Sequence, residues 1–190
     1  MKRLITFLLV IMFLSLIASC APYRRYGITQ EVITPPSNDS SITLTPSPDP
    51  NFHTGETAII GNWEITVDSF EVKDTIDMSA YTYYTPDEGN KYVVANMTIK
   101  NIGTEIDVFC PSFSISNKDV RVKIVYQNTY EYSASSLLGC DKELHDDSMN
   151  PLTKGSGFIA FSVVEEAITA NELKLIFTCD DKIAIYNVSI

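Results

Sequence analysis

The alternation of apolar and polar positions is strictest over residues 92–103. Val93, Ala95, Met97 and Ile99 fall on one side, and Tyr92, Asn96, Thr98 and Lys100 on the other, with Val94 the one apolar exception. A period of two sends successive side chains to opposite faces, so this run predicts a strand with one buried and one wet face. Asn101 and Gly103 predict the turn that ends it. A sheet that is apolar on one face must be covered by another layer, and other runs supply that cover. Trp63, Ile65 and Val67 alternate with Glu64, Thr66 and Asp68. Phe70 and Val72 then fall in the opposite phase, which predicts a bulge near Asp68 and Ser69 or two strands meeting there. Val120, Val122, Ile124 and Tyr126 are expected to form a hairpin with the run at 106–116. Ile159, Phe161 and Val163 form a further strand, and Leu173, Leu175 and Phe177 pair with the closing run at 183–188. Residues 74–90 and 127–154 read as long loops, and 165–171 as one or two helical turns. Seven or eight short strands separated by turns predict an all-β, antiparallel β-sandwich of the immunoglobulin-like kind.

The amino terminus follows another pattern. Lys2 and Arg3 precede an almost unbroken apolar run that ends Ile17-Ala18-Ser19-Cys20. A basic start, a short apolar stretch and small residues before a cut site predict a secretory signal peptide over 1–19. The run is too short for the roughly 20 apolar residues of a membrane span. Residues 20–54 carry Thr34-Pro35-Pro36-Ser37 and Thr45-Pro46-Ser47-Pro48, which predict a flexible linker. The folded domain is therefore expected over 55–190.

Charge narrows the partners. Twenty-four acidic residues against 14 Lys and Arg give a formal charge of −10 in 190 residues. Nucleic-acid binding requires basic patches that release counterions, so no nucleic-acid partner is expected. Candidate chemistry is sparse. Tyr81, Tyr83 and Tyr84 cluster in the first long loop, and tyrosine suits a binding surface because its apolar body carries a polar tip. Beyond Cys20 stand Cys110, Cys140 and Cys179. A Cys110–Cys140 disulfide would staple the second long loop to the sheet edge, with Cys179 as the next candidate partner. His145 lies near Asp141, Asp146 and Asp147, but acidic loop clusters are mostly solvated and no metal site is expected. No catalytic motif is present, so neither an enzyme nor a cofactor is expected.

Two resemblances add to this reading. The end of the apolar run is similar to the lipobox of bacterial lipoproteins, which implies cleavage after Ser19, lipid on Cys20, and a place on the extracytoplasmic face of a bacterial cell membrane. The stretches Gly61-Asn62-Trp63-Glu64-Ile65-Thr66-Val67, 89–103, 157–161 and 173–177 resemble a family of bacterial lipoprotein domains of unknown function with an immunoglobulin-like sandwich. That family is in turn similar to a secreted mycobacterial immunoprotective protein. The chain departs from the family pattern at Lys154-Gly155 and in the long segment carrying Cys140. The resemblance implies fold and location but brings no catalytic residue. Together these readings imply a lipid-anchored module of the bacterial envelope that binds an unidentified ligand or envelope protein. The alternative is an accessory lipoprotein docked into an envelope assembly by an edge strand.

Overall fold

The computed structural model describes residues 49–79, 81–114 and 116–190. Cys20 and the signal segment lie outside the described residues. The central strand, β6 (Asn90–Asn101), pairs on one side with β3 (Trp63–Lys73) and on the other with β11 (Lys154–Val164). With β2 (Thr57–Ile60) they make a four-stranded sheet in the order β11-β6-β3-β2. The facing sheet holds β1 (Asn51–Phe52), β13 (Lys182–Asn187), β12 (Leu173–Cys179), β8 (Arg121–Tyr126) and β9 (Tyr130–Ser133), in that order. The described residues form an antiparallel β-sandwich, in which the short β1 pairs in parallel with β13 and an isolated parallel bridge joins Glu143 to Phe158.

Alternation places the core as expected. Val93, Ala95, Met97 and Ile99 are buried between the sheets with Trp63, Ile65, Val67, Phe177 and Tyr186. The ring of Trp63 meets that of Phe109 edge-on at 5.0 Å. The phase change in β3 is a bulge, with the register shifting between Val67 and Ser69. Asp68 is the extra residue, and its carboxylate accepts the Thr98 hydroxyl at 2.9 Å. The closing hairpin β12–β13 turns through Asp180, whose φ is 51°. Residues 165–171 form one short helix, α1 (Glu165–Ala170), stopped by Asn171 in the left-handed region.

Other expectations need correction. The run at 106–116 does not form a hairpin with β8. Its strand β7 (Asp107–Phe109) pairs with β10 (Asp147–Met149). The cause is local: Cys110 has φ 46°, and Pro111 has no N–H to continue a ladder. β8 pairs instead with β12 and with β9, inside the segment expected as a loop. The sandwich also begins upstream of Gly55, because Phe52 stacks on Tyr186 at 5.5 Å and Ile185 N–H donates to the Pro50 carbonyl at 2.7 Å.

Tyr186 ties the two sheets together. Its hydroxyl donates to the carbonyls of Glu56 and Ile65, each at 3.1 Å. Burial pushes this phenol up to about 12. The folded state therefore holds the proton more tightly than the unfolded chain. The stabilisation is complete below the ordinary value of 10.0 and is lost as pH rises through about 12. Tyr186→Phe is expected to cost about 1–2 kcal/mol at neutral pH, since two carbonyls lose a donor. It should also flatten the alkaline fall in stability, read as the urea midpoint against pH.

Candidate functional site

The two long loops are not independent. Within 74–90, β4 (Ile76–Ser79) and β5 (Thr82–Tyr84) form a small hairpin. It folds over the outer face of the β11-β6-β3 sheet. Ile76 packs there with Tyr92, Val94, Ala160 and Leu137 in a second hydrophobic cluster, flanked by Tyr84, Cys140 and Phe158. This explains Val94: the face expected to be wet is covered at that point, and Tyr92 is buried as well. Tyr92 donates its hydroxyl to the Thr85 carbonyl at 3.0 Å. Tyr84 donates to the Leu138 carbonyl at 2.7 Å, and Cys140 Sγ lies 3.9 Å from the Asp77 carbonyl. In the second loop the Glu143 carboxylate accepts the Leu137 N–H at 3.0 and 3.1 Å, holding Leu137 in the cluster. Burial raises the Glu143 carboxyl above its usual range, although the Leu137 bond opposes this.

The three tyrosines therefore separate. Tyr84 is structural, whereas Tyr81 is 96% exposed and Tyr83 61% exposed. Leu138, at 79%, is exposed on the loop that Tyr84 holds, and Met78 is exposed beside it. The hairpin and the second loop, tied together through Tyr84, thus each present apolar or aromatic side chains to solvent.

A second site lies where β7 meets β10. Pairing of Asp147 with Phe109 carries His145 and Asp146 to the segment after Pro111. Asp146, at φ 67°, donates its N–H to the Phe109 carbonyl at 3.1 Å. Its carboxylate accepts the Ser112 N–H at 2.6 Å and also the Ser112 hydroxyl. His145 Nδ1 stands 3.4 Å from Ser112 Oγ and 3.6 Å from Asp146 Oδ2. Burial pushes the imidazole below its ordinary value, against the pull of Asp146. Burial also acts to raise Asp146, but the Ser112 hydrogen bonds and His145 outweigh it and hold the carboxylate below its usual value. This Ser/His/Asp set anchors a loop. A nucleophilic serine needs the imidazole as its proton acceptor, and here the Ser112 hydroxyl donates its hydrogen bond to the carboxylate. Beside the set opens a cleft of about 420 Å³, bounded by Pro111, Val120, Val122 and Ala134 and by the polar groups of Arg121 and His145. Residue spacing gave no sign of this cleft.

The expected Cys110–Cys140 disulfide is absent. Cys110, Cys140 and Cys179 are free thiols. Cys110 belongs to the main core and Cys140 flanks the outer cluster, so different layers hold them. Burial raises all three thiols, Cys110 the most. Thiol titration of denatured, unreduced protein lipidated on Cys20 is expected to count these three. Under native conditions Cys140, the least buried, should be alkylated first. Native labelling led by Cys110 would contradict this arrangement. Among the described residues, no group of three or more His, Cys, Asp or Glu converges as a metal site. Among them too, no helix is long and apolar enough to cross a membrane.

Fold and sites define a β-sandwich module with a knitted loop face and a side cleft. The chain belongs to the family described as domain of unknown function DUF4352, whose pattern matches residues 52–184. No curated protein matches it. Among solved structures it is similar to an uncharacterized beta-sandwich protein from Clostridium difficile 630, at 21% identity and a TM-score of 0.53, over 73% of this chain and 95% of that one. It is also similar to the yjhA protein of Bacillus subtilis, at 12% identity and a TM-score of 0.48, over 72% and 98% of the two chains. A third is ycdA, a candidate lipoprotein of Bacillus subtilis, at 11% identity and a TM-score of 0.45, over 70% of this chain and 38% of that one. These matches lend no support to the likeness with the mycobacterial secreted protein.

Proposed function

We propose that the protein is a lipid-anchored interaction module on the extracytoplasmic face of a bacterial membrane, and that the hairpin face is its contact surface. The observation that carries this is the exposure of Tyr81 and Tyr83 on a hairpin fixed to the sandwich through Tyr84 and Leu138. Rigid aromatic side chains offer large contact area at low entropic cost, and exposed apolar groups gathered on one face mark interaction sites. The anchor rests on Cys20 after its apolar run. Each buried methylene of an acyl chain adds about 0.8 kcal/mol, so two chains hold stably. The reading is non-catalytic, supported by the loop-anchoring role of Ser112 and Asp146.

The test uses the full chain in its membrane. Cys20→Ser is expected to release the protein into the soluble fraction. A photo-crosslinking amino acid at position 83 is expected to trap one discrete partner. The yield should fall when Tyr81 is changed to Ser, and the same probe at position 183, exposed on β13, should trap none. Equal trapping at both positions, or none at either, would remove the reading. A docking role without a small ligand has one observation of its own. β2 ends its sheet, with Ile59 55% exposed, and an open edge accepts a partner strand. Trapping from position 59 in place of 83 would favour it.

A further inference from the structure

We propose that the cleft between β8, the end of β9 and the segment after β7 is a binding site for a small carboxylate-bearing ligand, with Arg121 as its counter-charge. In a chain of formal charge −10, Arg121 is, among the described residues, the only formally charged side chain lining this cleft. The remaining polar lining is Ser112, Ser114, Ser133 and Ser136, with the imidazole of His145, which burial pushes below its ordinary value against the pull of Asp146. Val120, Val122, Pro111 and Ala134 give it apolar walls.

Arg121 is free for a ligand. Among the described residues it takes part in none of the ion pairs. Its one side-chain bond is a long one, 3.4 Å from Nη2 to Ser114 Oγ. The nearest carboxylates make no direct ion pair with it, although Asp119 and Asp180 line a second, smaller cavity together with Arg121. Asp119 accepts the Ser114 hydroxyl at 2.9 Å, and Asp146 accepts both Ser112 groups; neither lines the cleft. A guanidinium presents a planar fork that matches a carboxylate in two parallel hydrogen bonds. A single cation with serine hydroxyls suits a monoanion, whereas a phosphate dianion calls for further positive charge. The volume, about 420 Å³, lies within the range of small-ligand pockets and leaves room for a short apolar body behind the carboxylate.

The experiment is calorimetric titration of the detergent-solubilised full chain with four probes: N-acetyl-alanyl-alanine, the same dipeptide as its amide, propionate, and inorganic phosphate. The free acid is expected to bind and the amide to bind at least about tenfold more weakly, the cost of losing a charged hydrogen bond. Arg121→Gln should reduce binding of the acid by a similar factor. Because Arg121 is exposed, that variant should fold as the parent does. Ser133→Tyr, which fills the cleft from β9, should abolish binding while leaving Arg121 in place. Binding of propionate as well would assign recognition to the carboxylate alone, and binding of the dipeptide acid without it to a peptide carboxy terminus; either result supports the site. Equal binding of acid and amide, phosphate binding in preference to the acids, indifference to Arg121→Gln, or no heat with any probe would overturn it. The hairpin face plays no part in this test, so its failure would leave that reading standing.

Discussion

Replacing Trp63 with alanine is expected to destabilise the sandwich by about 3–5 kcal/mol, the usual range for removing a fully buried aromatic. Trp63 opens β3 and is 1% exposed. It reaches across to Phe109, which stands 6.4 Å from Phe177 on the facing sheet. Through Phe109 the ring links the two layers of the sandwich, and its removal would leave a cavity between them. Thermal unfolding of the purified protein should show the midpoint falling by many degrees. Tyr81→Ala is the control, since Tyr81 is almost wholly exposed and its loss should move the midpoint very little. An unchanged midpoint for Trp63→Ala would show that the ring is not the plug between the sheets.

Strand-level features were readable because each depends on a short stretch of chain. The buried face of β6, the bulge at Asp68 and the closing hairpin all follow from alternation and turn residues within a single run. Errors arose where a contact joined distant segments. Val94 and Tyr92 broke the expected pattern because the β4–β5 hairpin and Leu137 fold over the outer face of the sheet, and alternation within one strand cannot show what a distant loop covers. Val94 was nonetheless a signal: an apolar residue on a wet face marks a place that something covers. The pairing of β7 with β10 joins residues far apart in the chain. That pairing alone brings Ser112 to His145 and Asp146, so no spacing rule could have found them. Arg121 occupies a polar position of the alternating run from Val120 to Tyr126, where nothing in the pattern marks it. That it makes no direct ion pair became visible only once Asp119 and Asp146 were seen bonded to serines. The cysteine pairing failed for a similar reason. Position in the sequence suggested a staple, but the layers place Cys110 in one cluster and Cys140 beside the other.

Gly157→Ala is expected to cost about 2–3 kcal/mol, through space and not through backbone conformation. Gly157 lies within β11 opposite Met97 of β6. On the other edge of β11, Phe158 N–H donates to the Lys142 carbonyl and Leu144 N–H to the Phe158 carbonyl, each at 2.9 Å. The second loop is thereby laced to the strand at the glycine. A Cβ there would stand 2.0 Å from the Lys142 carbonyl oxygen and 2.9 Å from Leu144 Cγ. The first is a backbone atom, so no rotamer change can relieve the clash, and the loop itself must move. That movement breaks the lacing and draws Leu144 out of the main core, where it is 3% exposed. It also disturbs Glu143, which holds Leu137 in the outer cluster, and His145 at the cleft. Gly89 is the contrast: its φ of 81° favours glycine, but nothing stands within 4 Å of its missing Cβ. Ser156→Ala, next to Gly157 but exposed, should stay within about 0.5 kcal/mol of the parent. Hydrogen exchange should locate the damage, with the amides of Phe158 and Leu144 losing protection in Gly157→Ala before those of β6 do. A variant with unchanged stability and unchanged protection at those two amides would mean that the second loop is not laced to β11, and the cleft and hairpin face would then lose the support that fixes them.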